Sequence, residues 1–170
     1  MDRKGEATEV KTKPLQAQTW DRPNPYVHEV CVGQTDTDRL GHANNTAYLK
    51  WMEAASWQHI EPIGMDWAAH ELSGKAMAIT RTEIDYLAAC YEGEVLQVAT
   101  WITACDGRLS SERAFQIIRP SDGKTLVRAV CRYACIDLKS GRPVRMPESF
   151  CAAHAIALRQ WQDDVERVSD

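Results

Sequence analysis

Residues 36–56 read DTDRLGHANNTAYLKWMEAAS, and two kinds of backbone meet inside them. The first half is dense in Asp, Asn and Gly. These residues hydrogen-bond their own backbone or tolerate a left-handed φ, so residues 35–45 read as a loop. The second half runs on to Ile60 with strong helix formers and neither Gly nor Pro. Asn44 or Asn45 is placed to cap that helix, because an Asn oxygen accepts from the free N–H groups of a first turn. Ala47, Tyr48, Trp51, Ala55 and Gln58 or His59 recur at helical spacing along one face, and Met52 and Trp57 widen the apolar surface. So many large side chains predict a helix enclosed by other structure. Pro62 and Gly64 stop it.

On the N-terminal side, residues 26–34 (YVHEVCVGQ) form a short β-branched run that suits a strand. On the C-terminal side the period changes to two. AMAITRTEIDYLA (76–88), EVLQVATWITA (94–104), SSERAFQIIR (110–119) and TLVRAVCRYACID (125–137) are strand candidates. The links CYEG, ACDGR and RPSDGK are hairpin-like, and short links favour antiparallel neighbours. A shorter helical piece is expected over 65–71 and a terminal helix over 149–164. The order is strand, long helix, then four strands expected as a meander. One antiparallel sheet has only one face to bury such a helix, so a curled sheet wrapped around it is the compact solution, an α+β fold. Residues 1–24 are polar and aperiodic and are expected as a flexible tail, with a single domain over 25–170.

Composition removes several function classes. The 170 residues carry 20 Lys and Arg against 24 Asp and Glu, a net charge of −4 without a basic stripe, so a nucleic-acid partner is not expected. No stretch reaches the length of a membrane span. The N-terminal residues show no signal-peptide core, so a cytoplasmic location is expected. Cys31, Cys90, Cys105, Cys131, Cys135 and Cys151 include no C-x-x-C pair. Cys131 and Cys135 share a strand face with Val127, Ala129 and Tyr133, which reads as core packing and not as a metal site. The H-E-x-x-H, G-x-S-x-G and Gly-rich phosphate motifs are missing.

The strand, loop and helix order, together with D-x-D-x-x-G-H-x-N-N-x-x-Y at Asp36, Asp38, Gly41, His42, Asn44, Asn45 and Tyr48, resembles the hotdog-fold thioesterases. The closer likeness is to the hydroxybenzoyl-CoA thioesterase and acyl-CoA thioester hydrolase group. EIDYLAACYEGEVLQVATWI (83–102) and DLKSGRPVRMPESF (137–150) add to the likeness, which covers about residues 27–150.

The resemblance implies hydrolysis of an acyl-CoA to free acid and CoA, without metal or other cofactor. Asp38 aligns with the family's catalytic aspartate, as nucleophile or as base for water. Asn45 falls where the family presents the backbone N–H that polarises the thioester carbonyl. His42 could position the acid or the substrate, or act as a base. Asn44, Tyr48, Arg142 and Arg145 are candidate substrate contacts: Asn44 alternatively a cap, Tyr48 alternatively core, and the two arginines suited to CoA phosphates. Asp36 reads as a turn residue. The family's site lies between subunits, so a homodimer is implied, and a homotetramer as a dimer of dimers is compatible. Two alternatives differ in carrier and in class. An acyl-carrier-protein thioesterase would carry Asn where Leu40 stands. A non-enzymatic acyl-CoA-binding module would not need Asp38.

Overall fold

The computed structural model describes residues 20–167. Five strands, β1 (Tyr26–Cys31), β2 (Lys75–Tyr86), β3 (Val95–Cys105), β4 (Ser110–Arg119) and β5 (Lys124–Asp137), form one antiparallel sheet in the order β1-β3-β4-β5-β2. Among the described residues three α-helices, α1 (Asn45–Ile60), the short α2 (Trp67–Ser73) and the terminal α3 (Glu148–Arg167), and two single 3-10 turns over Gln34–Asp36 and Glu61–Ile63 complete the order. Register shifts at residues 79/81, 102/104 and 117/118 each place unequal numbers of residues on paired strands. Such bulges bend a strand and sharpen its twist, and here they curl the sheet towards α1.

One expectation is corrected. The four strands after α1 are not a simple meander, because β2 pairs with β5 at one edge while β3 pairs with β1 at the other. Only β3, β4 and β5 run on as successive hairpins. Residues 87–94 carry the chain across the sheet and past the start of α1. There the Ala43 N–H donates to the Cys90 carbonyl at 2.8 Å.

The helix face read from the sequence is the buried face. Ala47, Tyr48, Trp51, Met52, Ala55 and His59 are buried, whereas Gln58 is exposed and accepts from the Tyr26 hydroxyl. Ala47, Tyr48, Trp51, Met52 and Ala55 pack in one cluster with Val98, Phe115, Ile117, Val127, Ala129 and Cys131 of the sheet. Burying Tyr48, Trp51 and Met52 contributes roughly 1.5–3 kcal/mol each before the entropy of ordering them. Cys131 and Cys135 are buried, as their shared face implies.

The tail expected over 1–24 falls, for residues 1–19, outside the described residues. Residues 20–24 are held on the opposite sheet face. Trp20 meets Trp101 edge-on at 6.4 Å, Trp101 Nε1–H donates to the Pro23 carbonyl, and Arg128 forms a bidentate pair with Asp21. No helix among the described residues is long and apolar enough to cross a membrane.

Candidate active site

The loop before α1 is tied down by its own backbone. The Asp36 carboxylate accepts from the Gly33 N–H at 2.9 Å, and the Asp36 carbonyl accepts from the Asn44 N–H at 2.7 Å, so Asp36 is a turn residue as expected. Thr37 forms an isolated antiparallel bridge with Ala43. Between these two residues the chain turns tightly. The Asp38 N–H donates to the His42 carbonyl, the Gly41 N–H to the Asp38 carbonyl, and the Leu40 N–H to Asp38 Oδ1 at 2.8 Å. Gly41 sits at φ +79°, a conformation that an L side chain rarely adopts. The pinch returns the tip of the loop to the start of α1, because the residues just before Asp38 touch Ala43 and Asn44.

Asn44 caps α1. Its backbone is extended, and its Oδ1 accepts from both the N–H and the hydroxyl of Thr46. Such a cap stabilises a helix by about 1 kcal/mol. Asn45 is the first helical residue and is exposed. Its N–H has no acceptor among the described residues, while its carbonyl accepts from the Tyr86 hydroxyl at 3.3 Å. The Asp38 carboxylate and a free amide at the positive end of the helix therefore belong to one tied loop. A carboxylate that can move a proton and an N–H that can hold a developing oxyanion, carried by one loop, are the pair acyl-transfer chemistry requires. His42 is half-buried, with Nδ1 3.3 Å from the Ala43 carbonyl. With Nδ1 as donor, Nε2 is left as an acceptor.

The other expected contacts separate. Tyr48 is 3% exposed, with its hydroxyl 3.2 Å from Cys90 Sγ and its ring edge-on to Trp51 and Tyr86. Burial raises its phenol well above the usual range, so it is a neutral core group. Arg142 and Arg145 are exposed beyond the end of β5, where Lys75 Nζ donates to the Arg145 carbonyl. Lys75 begins β2 and Tyr86, beside Asn45, ends it. Twelve residues at about 3.3 Å each put the arginines at the opposite end of a single chain from Asp38.

Two features had escaped the sequence reading. Tyr86 and Cys90 reach the helix start only through the crossover. At the far end of α1, the buried Arg113 lines a cavity with Tyr133 and is hydrogen-bonded to His59 and Thr100. A signal existed, since Ser111, Arg113, Phe115 and Ile117 alternate onto one face of β4 and Phe115 and Ile117 are core.

Residues 32–154 match the model of the thioesterase-like superfamily. The chain belongs to this family. Thioester hydrolysis is the reaction that membership supports. A curated relative, YneP of Bacillus subtilis (strain 168), provisionally named an acyl-CoA thioesterase, is 26% identical over 122 residues, 72% of this chain and 87% of that protein. Solved structures share the hotdog fold. The 1,4-dihydroxy-2-naphthoyl-CoA thioesterase Slr0204 from Synechocystis superposes with a TM-score of 0.69 at 20% identity, covering 77% of this chain and 96% of that one. The Staphylococcus aureus protein SAV2348, solved in complex with CoA, superposes with a TM-score of 0.74 at 17% identity, covering 81% and 85%. The curled antiparallel sheet around one long helix, expected from the residue pattern, is thus the architecture of the family.

Proposed function

We propose that the chain hydrolyses an acyl-CoA thioester to the free acid and CoA, with Asp38 as base or nucleophile and the Asn45 N–H polarising the carbonyl. The observation that carries this is the tied loop, which joins a carboxylate to a helix-start amide without an acceptor. In the base form, Asp38 takes a proton from water as the water oxygen bonds to the carbonyl carbon. The carbonyl oxygen gathers negative charge at the Asn45 N–H. The C–S bond then breaks, and the CoA thiolate takes the proton that Asp38 had received, which restores the carboxylate. No step needs a metal or other cofactor. His42, on the same tip, orients the acid or the substrate. Asn44 contributes its remaining amide N–H groups, its oxygen being committed to the cap. The names of the Bacillus and Synechocystis proteins and the CoA bound to the Staphylococcus aureus protein support CoA as the carrier. A CoA thioester substrate would place the chain in the cytoplasm.

The test is release of free thiol from a panel of aliphatic and aromatic acyl-CoAs by the purified chain. Turnover is expected with at least one member. Binding without turnover across the panel would favour a non-enzymatic module, and turnover only on acyl-carrier-protein thioesters would move the carrier.

The reading includes a homodimer joined through β2, with a pair of dimers as its tetrameric form. β2 is an edge strand twelve residues long, and Ile79 on it is largely exposed. Unpaired edges of that length are normally covered. Antiparallel pairing of two β2 edges would set the Lys75 end of one subunit beside the Tyr86 end of the other. Arg142 and Arg145 of one subunit would then approach the Asp38 loop of its partner, where they would meet CoA phosphates; neither has a carboxylate partner among the described residues. Sedimentation velocity at micromolar protein is expected to show no monomer. An active monomer would overturn the two-subunit site.

A further inference from the structure

The cavity at the far end of α1 is not used by the chemistry at Asp38. Its volume is about 280 Å³, and Trp57 of α1, Met65, Met77 of β2 and Ile102 of β3 give it apolar walls. From Asn45 to Glu53, the first residue of α1 to line the cavity, the helix rises about 12 Å at 1.5 Å per residue. Arg113 reaches this cavity from β4 and is only 4% exposed.

The partners of Arg113 are all neutral. Its Nη1 donates to His59 Nδ1 at 2.9 Å and to Thr100 Oγ1 at 3.1 Å, and the Tyr133 hydroxyl is a further hydrogen-bonding neighbour. His59 accepts because its imidazole is uncharged: burial, reinforced by the Arg113 charge, pushes it down to about 4. Burial also lowers His154, which lines the same cavity. Arg113 itself is pushed down by burial to about 10 and stays cationic at neutral pH. Among the described residues no carboxylate pairs with it, and Glu53 touches the cavity from the exposed side of α1 without an ion pair. A guanidinium out of water without an anion is costly, and the usual resolution is a paired charge. Nη1 is occupied, and apart from the Tyr133 contact the Nε–Nη2 edge of the fork is the part that can meet a planar acceptor.

We propose that this cavity binds a small organic carboxylate with an apolar body, its carboxylate received by Arg113 and by the Ser111 and Tyr133 hydroxyls. One positive charge calls for one negative charge. The apolar walls, around a space of about 280 Å³, suit a ring or short chain. The inference stands on the cavity and Arg113 alone and does not depend on the thioesterase mechanism. Such a carboxylate is either a free acid or the far end of a bound acyl group.

Calorimetry of the intact chain with benzoate, phenylacetate and hexanoate, each against its primary amide, tests the site without any measurement of turnover. Saturable binding of at least one acid, one per chain, is expected. Its amide should bind at least about tenfold more weakly, since hydrogen bonds to a charged group are worth at least a factor of ten. Arg113→Met should remove the preference for the acid. Should Arg113→Met fail to fold, Ser111→Phe fills the cavity and keeps the charge, and acid binding should still be lost. Equal affinity of acid and amide, or acid binding unchanged in Ser111→Phe, would overturn the site, as would no saturation below roughly 10 mM, the range of non-specific contact. Steady-state hydrolysis of adipoyl-CoA against hexanoyl-CoA then separates the two sources. A KM raised by Arg113→Met for the adipoyl thioester alone assigns the carboxylate to the acyl end; equal KM values, with acid binding present in the wild type, assign it to a free acid.

Discussion

Asp38→Asn is expected to nearly abolish turnover while leaving the fold and acyl-CoA binding close to those of the wild type. The structure makes this substitution unusually clean. Asp38 Oδ1 accepts from the Leu40 N–H, and the amide oxygen of the variant can accept the same bond. The backbone bonds from the Asp38 N–H to His42 and from the Gly41 N–H to Asp38 do not involve the side chain. The tied loop should therefore keep its shape, and the loss should fall on chemistry. An amide neither takes a proton from water near pH 7 nor attacks a thioester. Loss of general-base catalysis alone is worth roughly 10²–10⁴-fold, and loss of a nucleophile at least as much. The measurement is kcat for thiol release at saturating acyl-CoA, with affinity taken from calorimetry on the same preparation. More than half the activity retained would remove Asp38 from the mechanism. A loss confined to KM would make it a binding residue instead.

The parts of this molecule that were legible in its sequence are those governed by local rules. The helix and its buried face followed from the spacing of Tyr48, Trp51 and Ala55, because a 3.6-residue period and an enclosing sheet leave one arrangement. The cap followed from Asn44, whose short acceptor reaches the first turn. The strands followed from their two-residue period, but their order did not. Residues 87–94 are short enough for a hairpin, and nothing local says that they cross the sheet. That crossing depends on a long-range choice, the pairing of β2 with β5, made by the whole core. Tyr86 and Cys90 were missed at the helix start for the same reason. Arg113 was legible in principle, as a charge in register with Phe115 and Ile117. A period of two shows that a residue faces inward, however, and not whether it meets core or cavity. The phosphate role of Arg142 and Arg145 was read from chemistry without distance. Within one chain the length of β2 separates them from Asp38, and only a second subunit could reunite them.

The oxyanion donor can be tested by removing a single hydrogen. Asn45→Ala keeps the backbone N–H and Asn45→Pro removes it. The position tolerates proline for reasons visible in the structure. Asn45 is the first residue of α1, and its N–H has no acceptor among the described residues, so no helix bond is lost. Asn44, the residue before it, already sits at φ −66° and ψ 145°, the extended conformation that a following proline imposes. The cap from Asn44 to Thr46 and the bond from the Tyr86 hydroxyl to the Asn45 carbonyl are compatible with either substitution. Loss of one oxyanion donor typically costs roughly 10²–10³-fold in kcat, about 3–4 kcal/mol of barrier. Asn45→Ala is expected to stay within about tenfold of the wild type, a side-chain loss worth no more than about 1.4 kcal/mol, and Asn45→Pro to fall by the larger factor. The comparison is made at matched circular dichroism and oligomeric state, so that a damaged helix is not counted as lost catalysis. Equal activity in the two folded variants would show that the Asn45 amide does not hold the oxyanion. The donor would then be sought at another N–H of the first turn, or on the second subunit of the proposed dimer.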